Sequence, residues 1–279
     1  MKQRILTAFI MLAIFIPVIA FSGTFVFVIA GAVCSVIAVY EMLCCTGQKK
    51  NAFLSIPALI YAASGPLLSR TRFSTSYGVF LTITIIFLFY LMFAHIFLTK
   101  KVRTHDISVV FMTSVYITVS FTSIIKLRDI PDGGEYFYIF IIIGACITDI
   151  FAYFGGKFFG KHKLCPDVSP KKTIEGAISG VIFCSLFFVL YAFILSKFTH
   201  LSPNYFIILV MGAIISVISQ FGDLAASAIK RDYGVKDYGK LFPGHGGILD
   251  RFDSIIAVSP FLFMLMGNPD FLRVFNQIM

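Results

Sequence analysis

Charge is scarce in this sequence. Only 13% of its 279 residues are Asp, Glu, Lys or Arg, about half the roughly 25% of a soluble globular chain, so water is not the main solvent of its surface. Also missing is the apolar–polar alternation, in strands of about ten residues, that marks a transmembrane β-barrel. Apolar runs recur along the whole length instead, with 58% hydrophobic residues and a mean hydropathy of +0.90. No lysine-rich tail or basic segment interleaved with aromatics accompanies the net charge of +9, which argues against a nucleic-acid partner. The basic residues sit in short loops between apolar runs, where they set membrane orientation and meet anionic headgroups or phosphates. Cysteines at metal-site spacing are lacking too. The six stand at 34, 44, 45, 146, 165 and 184, and three lie inside apolar runs, as small packing residues in a reducing setting would. Internal repeats and low-complexity segments are absent.

What is present reads as an all-α polytopic membrane protein. At about 20 apolar residues per crossing, helices are expected near 5–21, 24–43, 52–68, 75–98, 107–125, 136–154, 177–197, 205–222 and 254–268, about nine transmembrane helices. The last is short and contains Pro260, which suits a re-entrant segment. The first, behind Lys2 and Arg4, resembles a secretory signal, but a second run follows after only Ser22–Gly23, so an uncleaved helical hairpin is expected. With the N-terminus cytoplasmic, residues 1–4, 44–51, 99–106, 155–176 and 228–253 carry 17 of the 23 Lys and Arg. The other face keeps Arg70, Arg72, Lys126, Arg128, Lys197 and Arg273. That asymmetry predicts a cytoplasmic N-terminus.

The chain divides by chemistry near residue 135. Residues 1–135 read as a scaffold of transmembrane helices with room for dimer contacts, in which only Glu41 places an acid near the end of a span. Residues 136–279 read as the catalytic part, with cytoplasmic loops 155–176 and 228–253. Asp223, Ser227 and Lys230 are spaced i, i+4, i+7 and share one helical face. A carboxylate beside hydrocarbon is costly unless paired or coordinated, so Asp223 is a functional candidate; the bland alternative is an acid reaching water from a helix end. Asp250 and Asp253 are i, i+3 on a helix beginning near Ile248, where they serve either as caps to the helix dipole or as ligands. Three aspartates from two segments repel one another unless cations lie between them, and an all-oxygen set suits Mg²⁺.

His245 stands between glycines with no second His or Cys at ligand spacing, which argues against zinc. Gly246 and Gly247 let backbone approach a ligand closely, with N–H groups toward phosphate oxygens. Lys171 and Lys172, just before the next span, answer either to positive-inside bias or to an anionic phosphate substrate. Asp149, within the sixth span, adds a further intramembrane acid to the same pocket.

The stretch from Ser227 through Lys230-Arg231 and Lys236-Asp237 to Phe242-Pro-Gly-His-Gly-Gly-Ile-Leu-Asp250-Arg251-Phe-Asp253 resembles, without departure over its 27 positions, the signature of the phosphatidate cytidylyltransferase family. Ser169-Pro-Lys171-Lys172-Thr-Ile-Glu-Gly176 is similar to the same family's other loop. Residues 145–255 carry the close resemblance; the N-terminal half matches in hydropathy.

The resemblance implies transfer of a cytidylyl group from CTP to phosphatidic acid with Mg²⁺, giving CDP-diacylglycerol and pyrophosphate for phospholipid synthesis, by a membrane-embedded homodimer. Asp223, Asp250 and Asp253 are expected to hold metal, with Ser227 as a neutral ligand and room for a second cation. Lys230, Arg231, Lys171, Lys172 and Arg251 would hold phosphates, and Lys236, Asp237 and His245 would border the pocket. With no soluble extension before the first span, a bacterial inner-membrane enzyme facing the cytoplasm is expected. A cytidylyltransferase for another lipid phosphate is the alternative within enzymes. From another class, a cation or proton transporter built on Asp149 and Asp223 would need acids near the bilayer midplane.

Overall fold

Where no water reaches the backbone, its N–H and C=O groups must be satisfied within the segment, so the apolar runs become helices. The computed structural model describes residues 2–71, 77–98, 102–131, 133–267 and 274–277. Arg72, Lys100, Lys101 and Arg273, which enter the charge count, lie outside the described residues. The long helices are α1 (Lys2–Ala20), α2 (Phe25–Cys45), α3 (Ala52–Leu68), α4 (Tyr77–Phe97), α5 (Thr104–Arg128), α7 (Ile139–Phe159), α8 (Ile174–Phe198), α9 (Tyr205–Asp232) and α10 (Leu249–Met266), with a one-turn α6 (Gly134–Phe137). Among the described residues, six helical segments are long and apolar enough to cross a membrane: 25–45, 78–97, 104–128, 134–159, 174–198 and 205–232.

Two departures from the sequence expectation matter for function. First, α9 does not end at Gly222 but continues to Asp232, because a helix's hydrogen-bond ladder does not stop where its apolar stretch does. Asp223, Ser227, Lys230 and Arg231 therefore ride on one unbroken helix. Second, the helices are joined by two small antiparallel sheets that an all-α reading omits: β1 (Lys163–Cys165) with β2 (Ser169–Thr173), and β3 (Leu201–Pro203) with β4 (Phe275–Gln277). In addition, α10 starts at Leu249, so Asp250 falls in its first turn, and it runs through Pro260 to Met266.

Compactness divides the chain differently from the chemical division at 135/136. One unit is Met1–Ile125 with Asp232–Phe252; the other is Lys126–Arg231 with Asp253–Met279. In the first, α2 and α3 form a hairpin through a 3₁₀ turn, and Gly47 supplies the left-handed conformation (φ 76°) before it. Small residues let the two backbones approach, and the Ser35 hydroxyl donates to the Ala62 carbonyl at 2.8 Å. Such contacts, not hydrophobic burial, drive helix association in lipid. Phe89, Phe93, Ile96 and Phe97 of α4 are exposed, an exposure suited to hydrocarbon.

In the second unit, α7 and α8 pack as an antiparallel pair along a glycine seam. A Cβ on Gly176 would lie 2.5 Å from the Ala152 carbonyl oxygen and 3.0 Å from the Gly156 nitrogen, so only glycine permits this approach. Thr148 of α7 donates to Ser216 of α9 at 2.9 Å. The ring of Phe140 packs on Phe188 and edge-on to Tyr191. These contacts fix the α7–α8–α9 frame on which the polar residues are mounted.

Candidate active site

The β1–β2 hairpin carries the paired lysines into the second unit. Strand β2 runs directly into α8, whose N-cap Thr173 accepts the Gly176 N–H on its hydroxyl oxygen. At the hairpin's base, His162 donates its backbone N–H to Glu175, and its Nδ1 stands 2.6 Å from Glu175 Oε1. Both legs of the hairpin are thus tied to the first turn of the helix at its base. A Cβ on Gly156 would stand 2.8 Å from Thr173 Oγ1, so the glycine lets α7 close against the same corner.

A cavity of about 310 Å³ opens there. Asp149, Gly156 and Lys157 of α7 line it, with Lys171 and Lys172 of β2 and Gln220 and Asp223 of α9. Lys172 Nζ stands 2.7 Å from Asp223 Oδ2, both side chains about a quarter exposed. One turn further along α9, the Ser227 hydroxyl donates to Asp223 Oδ1 at 3.4 Å. Asp149 is within electrostatic reach of Asp223, Asp253 and Lys172. Asp253, near the start of α10, also accepts the Ser254 N–H at 2.8 Å. The second unit therefore brings Asp223, Asp253 and Lys172 within electrostatic reach of Asp149, with Lys171 and Lys157 on the cavity wall. A pair held by one ammonium contact and facing this cavity can exchange partners: a phosphate oxygen can replace the carboxylate, and a cation can replace the ammonium.

Among the described residues, no three acidic, histidine or cysteine side chains converge as a ready-made metal cage. The donor set nonetheless fits Mg²⁺, which keeps several waters and is held by one or two carboxylates plus substrate phosphates. The cavity's side-chain acceptors are oxygens, the carboxylates of Asp149 and Asp223 among them, with neither sulfur nor imidazole in the lining.

The glycine-rich loop belongs to the first unit, and its carboxylates are used differently. Gly244 and Gly246 adopt left-handed conformations (φ 79° and 84°), and Phe242 pairs with Gly246 across a tight turn. Asp250, 7% exposed, accepts three backbone N–H groups on one oxygen: Tyr238 at 2.8 Å, Gly239 at 3.4 Å and Gly247 at 3.0 Å. The Gly247 N–H is thus directed to Asp250 and not toward a ligand. His245 Nδ1 lies 3.2 Å from the Thr7 hydroxyl, which donates to the Pro243 carbonyl. Phe252 packs against Phe15 and Phe121. Within the same unit, Glu41 of α2 accepts the N–H groups of Ile248 and Leu249.

Arg231, Lys236, Asp237 and Arg251 are exposed and do not line the cavity; neither does Lys230, half-buried in the last turn of α9. Sequence reasoning did not assign Glu41, Gln220 or Lys157. Gln220, whose amide donates to the Ala177 carbonyl at 3.2 Å, carried a signal in being a polar residue one turn before Asp223 in an apolar run.

A model of the cytidylyltransferase family matches residues 2–268. Over 275 residues the chain is 34% identical to the phosphatidate cytidylyltransferase of Bacillus subtilis (strain 168), covering 96% of this chain and 98% of that protein. Over 269 residues it is 36% identical to the protein of the same name from Staphylococcus aureus (strain COL), covering 95% and 99%. The Staphylococcus epidermidis (strain ATCC 12228 / FDA PCI 1200) protein of that name is 34% identical over 268 residues, covering 95% and 99%.

Proposed function

The chain belongs to the cytidylyltransferase family, and we propose that it transfers the cytidylyl group of CTP to phosphatidic acid, releasing CDP-diacylglycerol and pyrophosphate. The observation that carries this reading is the near-complete match, at 34% and 36% identity, to proteins named for that activity. The lysine-lined cavity with its exchangeable ion pair supports it chemically.

A phosphate monoester has its second pKa near 6, so at neutral pH phosphatidate is already an anionic nucleophile and needs no general base. Its phosphate oxygen attacks the α-phosphorus of CTP. The bond from that phosphorus to the bridging oxygen breaks, and pyrophosphate leaves with the electron pair. The obstacle is repulsion between two anions, so positioning and charge neutralisation supply the catalysis. In this reading Lys172 leaves Asp223 for a substrate phosphate, and Lys171 binds a second phosphate oxygen from the same wall. Asp223 and Asp253 are the carboxylates that would hold Mg²⁺, with Ser227 as a neutral ligand. Asp250, one turn before Asp253 on α10, adds charge to the same helical face. Mg²⁺ bound there would neutralise phosphate charge and polarise the α-phosphoryl group, and a second cation has the same oxygen donors to draw on. Lys230, Arg231 and Arg251 steer anions toward the site.

The apolar runs are the ground for about nine crossings, the charge asymmetry supports a cytoplasmic N-terminus and a cytoplasmic active face, and the bacterial relatives support a bacterial inner membrane. The family resemblance supports a homodimer. Cysteine labelling should place residues 161–172 and 232–246 on the cytoplasmic side; finding either loop outside would overturn the orientation.

The test of function uses the purified full-length chain in vesicles containing phosphatidate. CTP and Mg²⁺ should yield CDP-diacylglycerol and pyrophosphate one to one, with little product when an ether-linked lipid phosphate replaces phosphatidate. Preference for the ether lipid would move the substrate assignment, and ion flux without nucleotide turnover would overturn the enzyme reading.

A further inference from the structure

Glu41 is a buried acid near the end of an apolar helix. It sits in α2, is 5% exposed, and is flanked in sequence by Val39, Tyr40, Met42 and Leu43. A buried carboxylate needs donors, and here both of its oxygens have one. Oε1 accepts the N–H of Ile248 at 3.0 Å, and Oε2 accepts the N–H of Leu249 at 2.8 Å.

Those two N–H groups belong to the start of α10. Ile248 stands at the cap position just before the helix, since its carbonyl accepts from Arg251 and Phe252. The first N–H groups of a helix have no partner within it, and they are ordinarily met by a Ser, Thr, Asp or Asn side chain at the cap. Isoleucine offers no such acceptor. Glu41 supplies it from 207 residues away. The loop is also shaped to receive it, because a Cβ on Gly239 or Gly247 would collide with the Glu41 carboxylate. Asp250 closes the arrangement by taking the N–H groups of Tyr238, Gly239 and Gly247.

We infer that Glu41 is a positioning residue of the reaction: it caps α10 and seats the 238–250 loop, thereby setting the direction in which Asp250 and the first turn of α10 present their side chains. It touches no reacting atom. This rests on the function proposed above only for its kinetic consequence; the capping itself is independent of the substrate. It also assigns a catalytic contribution to the N-terminal helices, which otherwise read as scaffold.

The experiment compares Glu41→Gln with the unaltered full-length chain in lipid nanodiscs. Glutamine keeps one acceptor oxygen but turns an N–H₂ toward a backbone donor. Backbone amide hydrogen exchange should rise in peptides covering 246–252 and stay unchanged in α7 and α8. CTP-dependent turnover should fall by about 10–100-fold, the range for residues that orient metal ligands, and the Mg²⁺ concentration for half-maximal rate should rise while the thermal unfolding midpoint holds. A merely structural acid would move the midpoint, not the Mg²⁺ requirement. Gly239→Ala, which intrudes on the carboxylate from the loop side, should reproduce the local exchange and stands in if Glu41→Gln does not fold. Unchanged exchange at 246–252 in the folded variants, or normal turnover and Mg²⁺ requirement alongside raised exchange, would overturn the inference. If the unaltered chain lacks CTP turnover, the proposed function fails, whereas the exchange measurement still reads the cap.

Discussion

The carboxylates of the loop and those of the cavity solve the same problem in opposite ways. Glu41 and Asp250 are nearly buried and meet backbone N–H groups, donors that cannot move without unfolding the loop. Asp223 is partly exposed and meets the end of a lysine side chain, a donor on four rotatable carbons that any anion can draw away. A carboxylate saturated by backbone sets a shape; one balanced by a mobile ammonium is ready for exchange. The difference separates residues that position from residues that react more sharply than their type does, since all are acids in a greasy chain.

The largest effect should come from Asp223→Asn, which keeps the shape and removes the charge that balances Lys172. Turnover measured with labelled CTP should fall at least about 100-fold with membrane insertion intact; near-normal turnover at low Mg²⁺ would put Asp223 among the merely structural acids. Next comes Asp250→Asn. The amide oxygen can still accept the three backbone N–H groups, so loop exchange should stay low. Activity should drop with a raised Mg²⁺ requirement if the Asp250 charge contributes to cation binding. Loss of loop protection in this variant would show instead that its charge serves the clamp.

A smaller effect, read in stability, is expected from Gly156→Ala. Its Cβ would stand 2.8 Å from Thr173 Oγ1, and relieving such overpacking typically costs about 1–3 kcal/mol. A lowered unfolding midpoint with partial activity is predicted; an unchanged midpoint would mean the α7–hairpin corner is looser than the glycine suggests. The smallest belongs to Lys236→Ala. An exposed charge that is not among the cavity's lining residues should change turnover by less than about fivefold, and a larger loss would bring Lys236 into substrate binding.

Much of the site was legible because helical spacing is legible. Asp223, Ser227 and Lys230 announce a shared face in the sequence, and Ser227 does reach back to Asp223. The paired lysines before α8 were suspect as phosphate binders, but nothing local could show that Lys172 closes on an acid 51 residues further along. Glu41 shows in the sequence only as an acid near the end of a span, because its partners are backbone N–H groups, which carry no residue identity for a sequence to display. The β1–β2 hairpin escaped for a related reason: Ser-Pro-Lys-Lys-Thr has no apolar alternation, and its pairing with three residues of β1 rests on backbone hydrogen bonds. The extent of α9 was underestimated because hydropathy reports where hydrocarbon ends, not where a helix does. The helices themselves were legible since each is an apolar run long enough to need internal hydrogen bonding.

The account's central claim is that Lys172 and Asp223 act as one exchangeable unit in CTP-dependent transfer. A double-mutant cycle on turnover tests it most directly, using Lys172→Ala, Asp223→Asn and the two together in the full-length chain with phosphatidate and Mg²⁺. Groups that act as a unit are strongly non-additive, so the double variant should be scarcely slower than the slower single variant. Losses that multiply independently, or near-normal turnover in either single variant, would contradict the claim.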